Sequence, residues 1–362
     1  MRRKMTMLDY VNEACAVARA NIARSDELLE PIVHACGGCV PDRIVLVASG
    51  SSMNACVCAL PFMRSCLAGS CDVGVVTPFD FTYYPEAVGE KDLVLVVTQS
   101  GLSTNAIEAL DSLRARGRRA ICLTGNVGAD ARDHADLVVD YGVGEELVGY
   151  VTKGVTTLAV YLMLLAARLG GCEDRVAQIE GALAGADAAS KATSEFFLAH
   201  EKALTSLGTC YCCAAGPTTG VAREGALKLG ETVHVPAVAY EVEEYIHGPN
   251  LQLTPAYTVI FFDPGDQASS RLKRVWRATR EVTDSAFIVT TDQSLRGDPC
   301  ALVLPGPIAP DTMSVAQLPF VQVLSHLASE ARGGTQQHPL MRRFKAVAAA
   351  KTEHYVNYDE DD

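Results

Sequence analysis

Ten short apolar runs alternate with helical patterns along this 362-residue sequence, and that alternation restricts the folds open to it. The runs are continuous rather than alternately polar and apolar, which is typical of strands covered on both faces, as in a parallel sheet. The predicted strands are 43–48, 72–76, 93–97, 120–124, 136–140, 208–215, 233–238, 257–262, 286–291 and 301–305. The predicted helices between them are 51–68, 103–117, 153–169, 218–231, 267–282 and 314–332.

The two sets of five strands are in register with each other. Pairs of equivalent positions lie 165 or 166 residues apart: Gly50 and Gly216, Thr98 and Asp263, Asp136 and Ala301. A near-constant offset indicates an internal duplication. The sequence therefore predicts an α/β protein of two tandem doubly wound three-layer (αβα) sandwiches, each with a five-stranded parallel sheet. The predicted segments are an N-terminal helix (1–30), a first domain (31–175), a linker helix (176–206), a second domain (207–335) and a C-terminal tail (336–362).

The net charge of the chain and the length of its apolar runs exclude some classes of binding partner. The formal net charge is −12 and the pI about 5.2, which argues against nucleic acid or an anionic membrane as the main partner. The longest apolar run, 155–167, is too short to span a bilayer and predicts a buried helix. Thirteen cysteines, an odd number scattered along the chain, favour a reducing, cytoplasmic setting.

One cysteine pair has the CxxC spacing of many metal sites. Cys36 and Cys39 lie in HACGGC, but a zinc site would need a second pair at similar spacing, and CYCC at 210–213 lies in a predicted strand. The sequence therefore favours small buried thiols and predicts no metal.

Two predicted strand-to-helix loops are rich in hydroxyl groups. ASGSSMNA (48–55) follows the first strand and TQSGLSTN (98–105) follows the third. Hydroxyls and unbonded N–H groups at helix N-termini can hold a phosphate without Lys or Arg, although such serines also serve as ordinary helix caps. The nucleotide motifs GxxxxGK[ST] and GxGxxG are absent, so the loops suit a sugar phosphate better.

The second half offers charged candidates instead. Glu224, Lys228 and Glu231 have i, i+4, i+7 spacing and share one face of a predicted helix. A solvated surface ladder is the alternative interpretation. His247 lies in a His–Gly–Pro turn after an acidic run, where a histidine can titrate near neutral pH.

These segments resemble the double-domain branch of the sugar isomerase (SIS) domain family. That branch includes the isomerase half of glucosamine-6-phosphate synthase and the fructosamine-6-phosphate deglycases. The matching segments appear in family order: SGSS (49–52), TQSGLST (98–104), EELVGYVTKGVTT (145–157), REGALKLGE (223–231) and EYIHGP (244–249). The resemblance implies an SIS-type fold and a homodimer or higher homo-oligomer with a shared active site.

The resemblance also implies residue roles. Phosphosugar contacts would come from Gly50, Ser51, Ser52, Thr98, Gln99, Ser100 and Ser103. Glu231 would move a proton between C1 and C2, supported by Glu224 and Lys228, and His247 would open the sugar ring from across a dimer interface. Val151 replaces a serine of the synthase, so one contact is expected to be lost. Either Lys345 or Lys351 would be the C-terminal lysine that folds over the substrate, where it can form an imine.

The expected chemistry passes through an enediol or enamine and requires a carboxylate and a histidine but no cofactor. Only a short predicted helix precedes the first strand, so no glutaminase domain or built-in ammonia source is expected, which favours an isomerase or deglycase. A glutaminase-less synthase-like aminotransferase and a non-catalytic phosphosugar sensor remain alternatives. A dehydrogenase lacks its glycine fingerprint here. The acidic end DEDD (359–362) is expected to be solvated.

Overall fold

The computed structural model describes residues 4–334, 337–356 and 358, and the acidic end at 359–362 lies outside these residues. The described chain divides into two compact units. The first-sheet unit comprises residues 16–176 and the described C-terminal segment from 337 onward. The second-sheet unit comprises residues 4–15 and 177–334.

The first-sheet unit is built on five parallel strands in the order β2-β1-β3-β4-β5. The strands are β1 (Arg43–Val47), β2 (Asp72–Val76), β3 (Leu93–Thr98), β4 (Ile121–Thr124) and β5 (Leu137–Asp140). All six residues of the central β3 are buried, as expected for a strand covered by helices on both faces. Its helices are most of α1 (Met7–Ala23), α2 (Ser25–Ala35), α3 (Gly50–Cys66), α4 (Pro78–Tyr83), α5 (Thr104–Ala115), α6 (Lys153–Gly170) and, in the C-terminal segment, α13 (Met341–Ala348).

The second-sheet unit repeats this plan. Its strands are β6 (Thr209–Ala214), β7 (Ala237–Glu241), β8 (Tyr257–Phe262), β9 (Ala286–Thr290) and β10 (Ala301–Val303). Their order, β10-β9-β8-β6-β7, places the five strands in the same relative order as in the first sheet, and all pairs are parallel. Its helices are α7 (Val176–Ala199), α8 (Glu201–Thr205), α9 (Thr219–Lys228), α10 (Val242–Ile246), α11 (Ser269–Arg280) and α12 (Met313–Ala331). The predicted fold class, two five-stranded parallel sheets flanked by helices, is confirmed.

One predicted strand and one predicted helix differ from the structure at a shared boundary. The helix predicted over 218–231 is α-helical only to Lys228 and continues as a π-helical turn, Leu229–Val233. His234 then takes a left-handed conformation (φ 57°), and Pro236 follows, so the strand predicted at 233–238 begins at Ala237. Apolar composition alone did not reveal these breaks because Val233 and Val235 have the residue type of a strand.

Two predicted single helices are each divided in the structure. The segment 1–30 contains α1 and the start of α2, and the segment 176–206 contains α7 and α8. Helix α6 is long and apolar enough to cross a membrane by length and composition, but 83% of it is buried inside the fold. It therefore has the burial of a core helix.

Candidate functional site

In the first-sheet unit, the two hydroxyl-rich loops follow neighbouring strands. β1 pairs with β3 in parallel, so the loops after Val47 and Thr98 leave the same edge of the sheet, at the point where the strand order reverses. Ligands of doubly wound sheets bind at this point. Gly50 turns the first loop with φ 58°, a conformation that favours glycine.

The serines of these loops are not ordinary helix caps. Ser49 and Ser103 occupy the N-cap positions of α3 and α5, yet neither side chain makes a capping hydrogen bond. The Ser51, Ser52 and Thr98 residues are buried beside them. The hydroxyl groups of Ser49 and Ser103 are therefore not committed to capping their own helices.

Gln99 is held by the protein on several sides. Its Oε1 accepts a hydrogen bond from the Tyr141 hydroxyl (2.9 Å), and its Nε2 donates to Glu146. A Cβ on Gly154 would lie 1.7 Å from Gln99 Oε1, so only glycine fits beside this amide. These contacts hold the Gln99 side chain in place at the start of the second loop, and its contact with a ligand stays a prediction.

Glu146 is the residue that sequence reasoning missed. Its Oε1 accepts the backbone N–H groups of Thr152 (2.8 Å) and Lys153 (2.7 Å), and its Oε2 accepts that of Gly154 (3.1 Å). A carboxylate at these positions satisfies the orphan donors of α6 and complements its dipole. Glu146 lies six residues before Thr152, outside the usual spacing of a helix-capping residue. No local sequence pattern therefore predicts this cap. Val151, half-buried, lies just before this helix start.

We expect the Glu146→Gln substitution to destabilise the first-sheet unit by about 1–2 kcal/mol, because it removes the charge that three helix N–H groups share. Urea unfolding followed by far-UV circular dichroism measures the change. The matched control is Glu145→Gln, which alters an exposed neighbour of the same chemistry. Equal stability of the two variants would contradict the capping role.

The C-terminal segment docks on the second hydroxyl loop. Lys351 Nζ donates to Ser103 Oγ (2.9 Å) and Ser100 Oγ (3.3 Å), and Ser103 and Lys351 form an isolated antiparallel bridge. The Thr352 amide donates to the Leu102 carbonyl at 2.9 Å. Of the two lysines left open by the sequence, the structure places Lys351 on the loop, whereas Lys345 is exposed on α13.

An ion pair between His354 and Asp130 holds the C-terminal segment beyond Lys351. His354 Nδ1 lies 2.9 Å and 3.0 Å from the two carboxylate oxygens of Asp130. The hydrogen bond to Asp130 raises the pKa of His354. Hydrogen bonds from Thr352 and His354 lower the pKa of Asp130.

These directions predict that docking of the C-terminal segment depends on pH. The raised pKa of His354 means that its contribution is complete below about pH 6.5 and is lost as pH rises through that raised pKa. The lowered pKa of Asp130 means that its contribution is present above about pH 4 and is lost as pH falls further. Hydrogen exchange of the Thr352 amide should therefore be slowest near pH 5–6 after correction for intrinsic rates.

The matched variants for that experiment are His354→Gln and His338→Gln, which alter two exposed histidines of the same segment. We expect the pH dependence of protection to disappear in the first and to persist in the second. A profile that survives in His354→Gln would exclude the ion pair as its cause.

In the second-sheet unit the three charged candidates meet: Glu224 and Lys228 lie on α9 and Glu231 on the turn that follows it, and together they are called the α9 cluster. Lys228 Nζ lies 3.2 Å from Glu224 Oε1 and 2.5 Å from Glu231 Oε1. The side chains of Lys228 and Glu224 are fully buried, whereas that of Glu231 is 30% exposed. The alternative of a solvated surface ladder is therefore excluded for this cluster. Burial alone would lower the pKa of Lys228, but attraction to Glu224 and Glu231 outweighs it and raises that pKa, so the lysine is charged.

The π-helical turn after Lys228 carries Glu231, the exposed member of the cluster. π-turns within α-helices occur frequently at functional sites. Because α9 runs back along the sheet, Glu231 lies toward the amino edge of β7, where Pro236 O accepts the Cys210 amide (3.0 Å). The charged cluster is thus at the edge opposite to the one expected for ligand-binding loops.

His247 lies at the other edge of the same sheet. It is exposed and ends α10, which follows the carboxyl end of β7. The five residues of β7 span roughly 15 Å between the two edges. Within the second-sheet unit the structure therefore does not bring Glu231 and His247 together.

The surroundings of His247 are charged. Glu243, four residues earlier, accepts from Arg271 at 2.5 Å and 3.1 Å in a bidentate pair. The Arg271 hydrogen bond is the main cause that lowers the pKa of Glu243, and the charge of His247 contributes in the same direction. Glu243, four residues before His247, is therefore ionised at neutral pH.

The chain matches a model for the SIS domain over residues 40–167. The matched range covers about a third of the chain. The hydroxyl loops after β1 and β3 both lie within the matched range, and the α9 cluster lies outside it. The described C-terminal segment, with Lys351, docks on the second of those loops.

The similarity to curated sequences extends beyond residues 40–167. The glutamine–fructose-6-phosphate aminotransferase (isomerizing) of Pectobacterium atrosepticum is 28% identical over 261 residues, which cover 69% of this chain and 40% of that protein. The chain thus spans less than half the length of the curated relatives it matches. It is similar to a part of such an enzyme.

Solved structures share the fold of both sheets. A Clostridium difficile 630 protein assigned to the phosphosugar isomerases matches with a TM-score of 0.86 and 23% identity, covering 96% of this chain and 99% of that one. The C-terminal domain of glucosamine-fructose-6-phosphate aminotransferase from Francisella tularensis matches with a TM-score of 0.75 and 19% identity, covering 93% and 99%. At these identities the similarity establishes the fold.

Proposed function

We propose that this protein is a phosphosugar isomerase or a fructosamine-6-phosphate deglycase that transfers a proton between C1 and C2 of its substrate. The observation that carries the proposal is the cluster on α9, in which a buried lysine holds two carboxylates and leaves only Glu231 accessible. A carboxylate fixed in this way can remove a proton from one carbon and return it to the next. Homology to enzymes that isomerise a hexose phosphate supports the same class of reaction.

The proposal assigns binding of the phosphosugar to the hydroxyl loops of the SIS domain. Ser51, Ser52, Thr98, Ser100 and Ser103 would supply hydroxyl donors at two helix N-termini, where an anion is favoured. The substrate class follows from the absence of nucleotide motifs in these loops and from the sugar-phosphate chemistry named for the relatives.

The proposal includes a homodimer, because His247 and Glu231 lie at opposite edges of one sheet. A ring-opening histidine from a second copy would supply the group that is missing beside Glu231. Sedimentation equilibrium measures this state, and a monomer at catalytic concentration would contradict the shared site. The odd number of cysteines, thirteen scattered along the chain, supports a reducing cytoplasmic setting.

The test is a substrate panel. The protein is incubated with fructose 6-phosphate, glucosamine 6-phosphate and fructosamine 6-phosphates carrying several amines, and release of free amine, ammonia and hexose phosphate is followed. Amine release identifies a deglycase, and interconversion without amine release identifies an isomerase. Sugar-phosphate binding in calorimetry with no conversion of any substrate would reject the enzyme in favour of a sensor.

A further inference from the structure

The CxxC pair, Cys36 and Cys39, has no part in the proposed function. The sequence favoured small buried thiols, and for this pair that prediction is wrong, because Cys39 is exposed and Cys36 is half-buried. All thirteen cysteines lie in the described part of the chain, and among them Cys39 is the only exposed one. The pair therefore presents one thiol to solvent with a second thiol close to it in the chain.

A tight turn joins the two cysteines. Helix α2 ends at Ala35, and the Cys39 amide then donates to the Cys36 carbonyl at 3.3 Å, which closes a β-turn. The central residues Gly37 and Gly38 have φ of 64° and 73°, and positive φ at both positions favours glycine. The first and fourth Cα atoms of a β-turn lie within about 7 Å, and a disulfide joins Cα atoms about 4.4–6.8 Å apart. The turn thus holds the two cysteines at a separation that a disulfide can bridge.

We propose that Cys36 and Cys39 are a redox-active dithiol that forms a reversible disulfide by exchange with a small disulfide of the glutathione class. The Cys39 thiolate attacks one sulfur of oxidised glutathione, forms a mixed disulfide and releases one glutathione thiolate. The Cys36 thiolate then attacks the Cys39 sulfur, closes the bond between the two cysteines and releases the second glutathione. The two thiol protons pass to the two released thiolates, so the two electrons that the protein loses reduce the reagent.

Burial and access give the two thiols different parts in this exchange. Burial is the main cause that raises the pKa of Cys36, and the positive charge of Arg119 acts against it. Cys36 is therefore suited to the second step, which is intramolecular and requires no reagent to reach it. A Cβ built on Gly37 or on Gly38 would meet nothing within 4 Å, so the turn leaves room for a bulky reagent at Cys39.

The position of the pair favours a reversible bond over a structural one. The loop between Cys36 and Cys39 is short, and a disulfide stabilises a fold less when it closes a shorter loop. An exposed disulfide is also reduced more easily than a buried one. The turn precedes β1, whereas the hydroxyl loops follow β1 and β3, so the dithiol does not depend on the proposed function of those loops.

Cys71 is the other thiol that could pair with Cys36. It is half-buried, and burial raises its pKa to about 11, with a smaller contribution in the same direction from Cys36. Its Sγ donates to the Asp72 carbonyl at 3.4 Å. Cys39 is the favoured partner, because it is exposed and the backbone hydrogen bond of the turn ties it to Cys36.

The experiment incubates the reduced full chain with oxidised glutathione, alkylates the remaining thiols and maps the tryptic peptides by mass spectrometry. Trypsin cleaves after lysine and arginine, so Cys36 and Cys39 lie together in the peptide 25–43, whereas Cys71 lies with Cys66 in 65–91. We expect the wild-type peptide 25–43 to carry an internal disulfide and no glutathione. Excess reduced glutathione should then restore both thiols.

The Cys36→Ser variant should stop at the first step, so its mixed disulfide on Cys39 should exceed that of the wild type at least about tenfold. In the matched control Cys71→Ser, which removes a half-buried thiol of the same unit, the internal disulfide should form as in the wild type.

Three results would overturn the proposal. The first is a wild-type peptide 25–43 that stays reduced in excess oxidised glutathione. The second is a disulfide that links 25–43 to 65–91, which would assign the partner of Cys36 to the other peptide. The third is a mixed disulfide on Cys39 that is equally abundant in the wild type and in Cys36→Ser, since the second thiol would then take no part.

Discussion

The Glu231→Gln variant is expected to fold normally and to lose turnover, with kcat lower by about 10³-fold on every substrate that the wild type converts. Glutamine has the shape of glutamate but cannot carry a proton between two carbons, and a positioned acid–base group contributes typically 10²- to 10⁴-fold. Because Glu231 is the part-exposed member of the α9 cluster, its loss leaves the fully buried Glu224–Lys228 contact in place. The effect should therefore fall on kcat and leave KM for the sugar phosphate within a few-fold.

The matched control is Glu281→Gln, which neutralises an exposed glutamate at the end of α11 in the same unit. It should retain wild-type kcat. Exchange of the substrate C1 or C2 proton with deuterated solvent, followed by NMR, reports the proton transfer directly and should disappear in Glu231→Gln. Turnover that survives this substitution would remove Glu231 from the mechanism, whatever the fold.

The strands of the fold were predictable because each is a short continuous apolar run between helical patterns. Leu93–Thr98 is buried along its whole length, and its composition shows this directly. The break after Lys228 was not predictable in the same way. The π-helical turn and the left-handed conformation of His234 are irregularities of the backbone, which the periodicity of apolar residues does not reveal.

The candidate site also has features that the sequence predicted and features that it did not. The sequence indicated the hydroxyl loops and the i, i+4, i+7 charged residues because their spacing is local. It could not indicate that Glu224 and Lys228 are completely buried, since identical spacing occurs on solvated helices. It also could not connect Glu146 to the start of α6 or His354 to Asp130, because those contacts depend on how loops and the C-terminal segment fold back.

Replacing Lys228 by methionine is expected to destabilise the second-sheet unit by about 3–5 kcal/mol, since breaking a buried ion pair leaves an uncompensated charge behind. Methionine matches the length of the lysine stem, so the packing volume changes little. What is lost is the ammonium that lies 3.2 Å from Glu224 Oε1 and 2.5 Å from Glu231 Oε1. Glu231 can turn toward water, but the fully buried Glu224 cannot. The unpaired carboxylate of Glu224 therefore accounts for most of the lost stability.

The sole tryptophan, Trp276, is buried in α11 of this unit, so its fluorescence during urea unfolding reports the second-sheet unit. The double variant Glu224→Gln/Lys228→Met provides the decisive comparison, because it removes the stranded charge together with its partner. It should be more stable than Lys228→Met alone by at least about 1 kcal/mol, the order expected when a buried unpaired charge is eliminated. A double variant less stable than Lys228→Met would show that the lost stability of Lys228→Met comes from lost packing. Charge compensation would then not contribute to the stability of the α9 cluster.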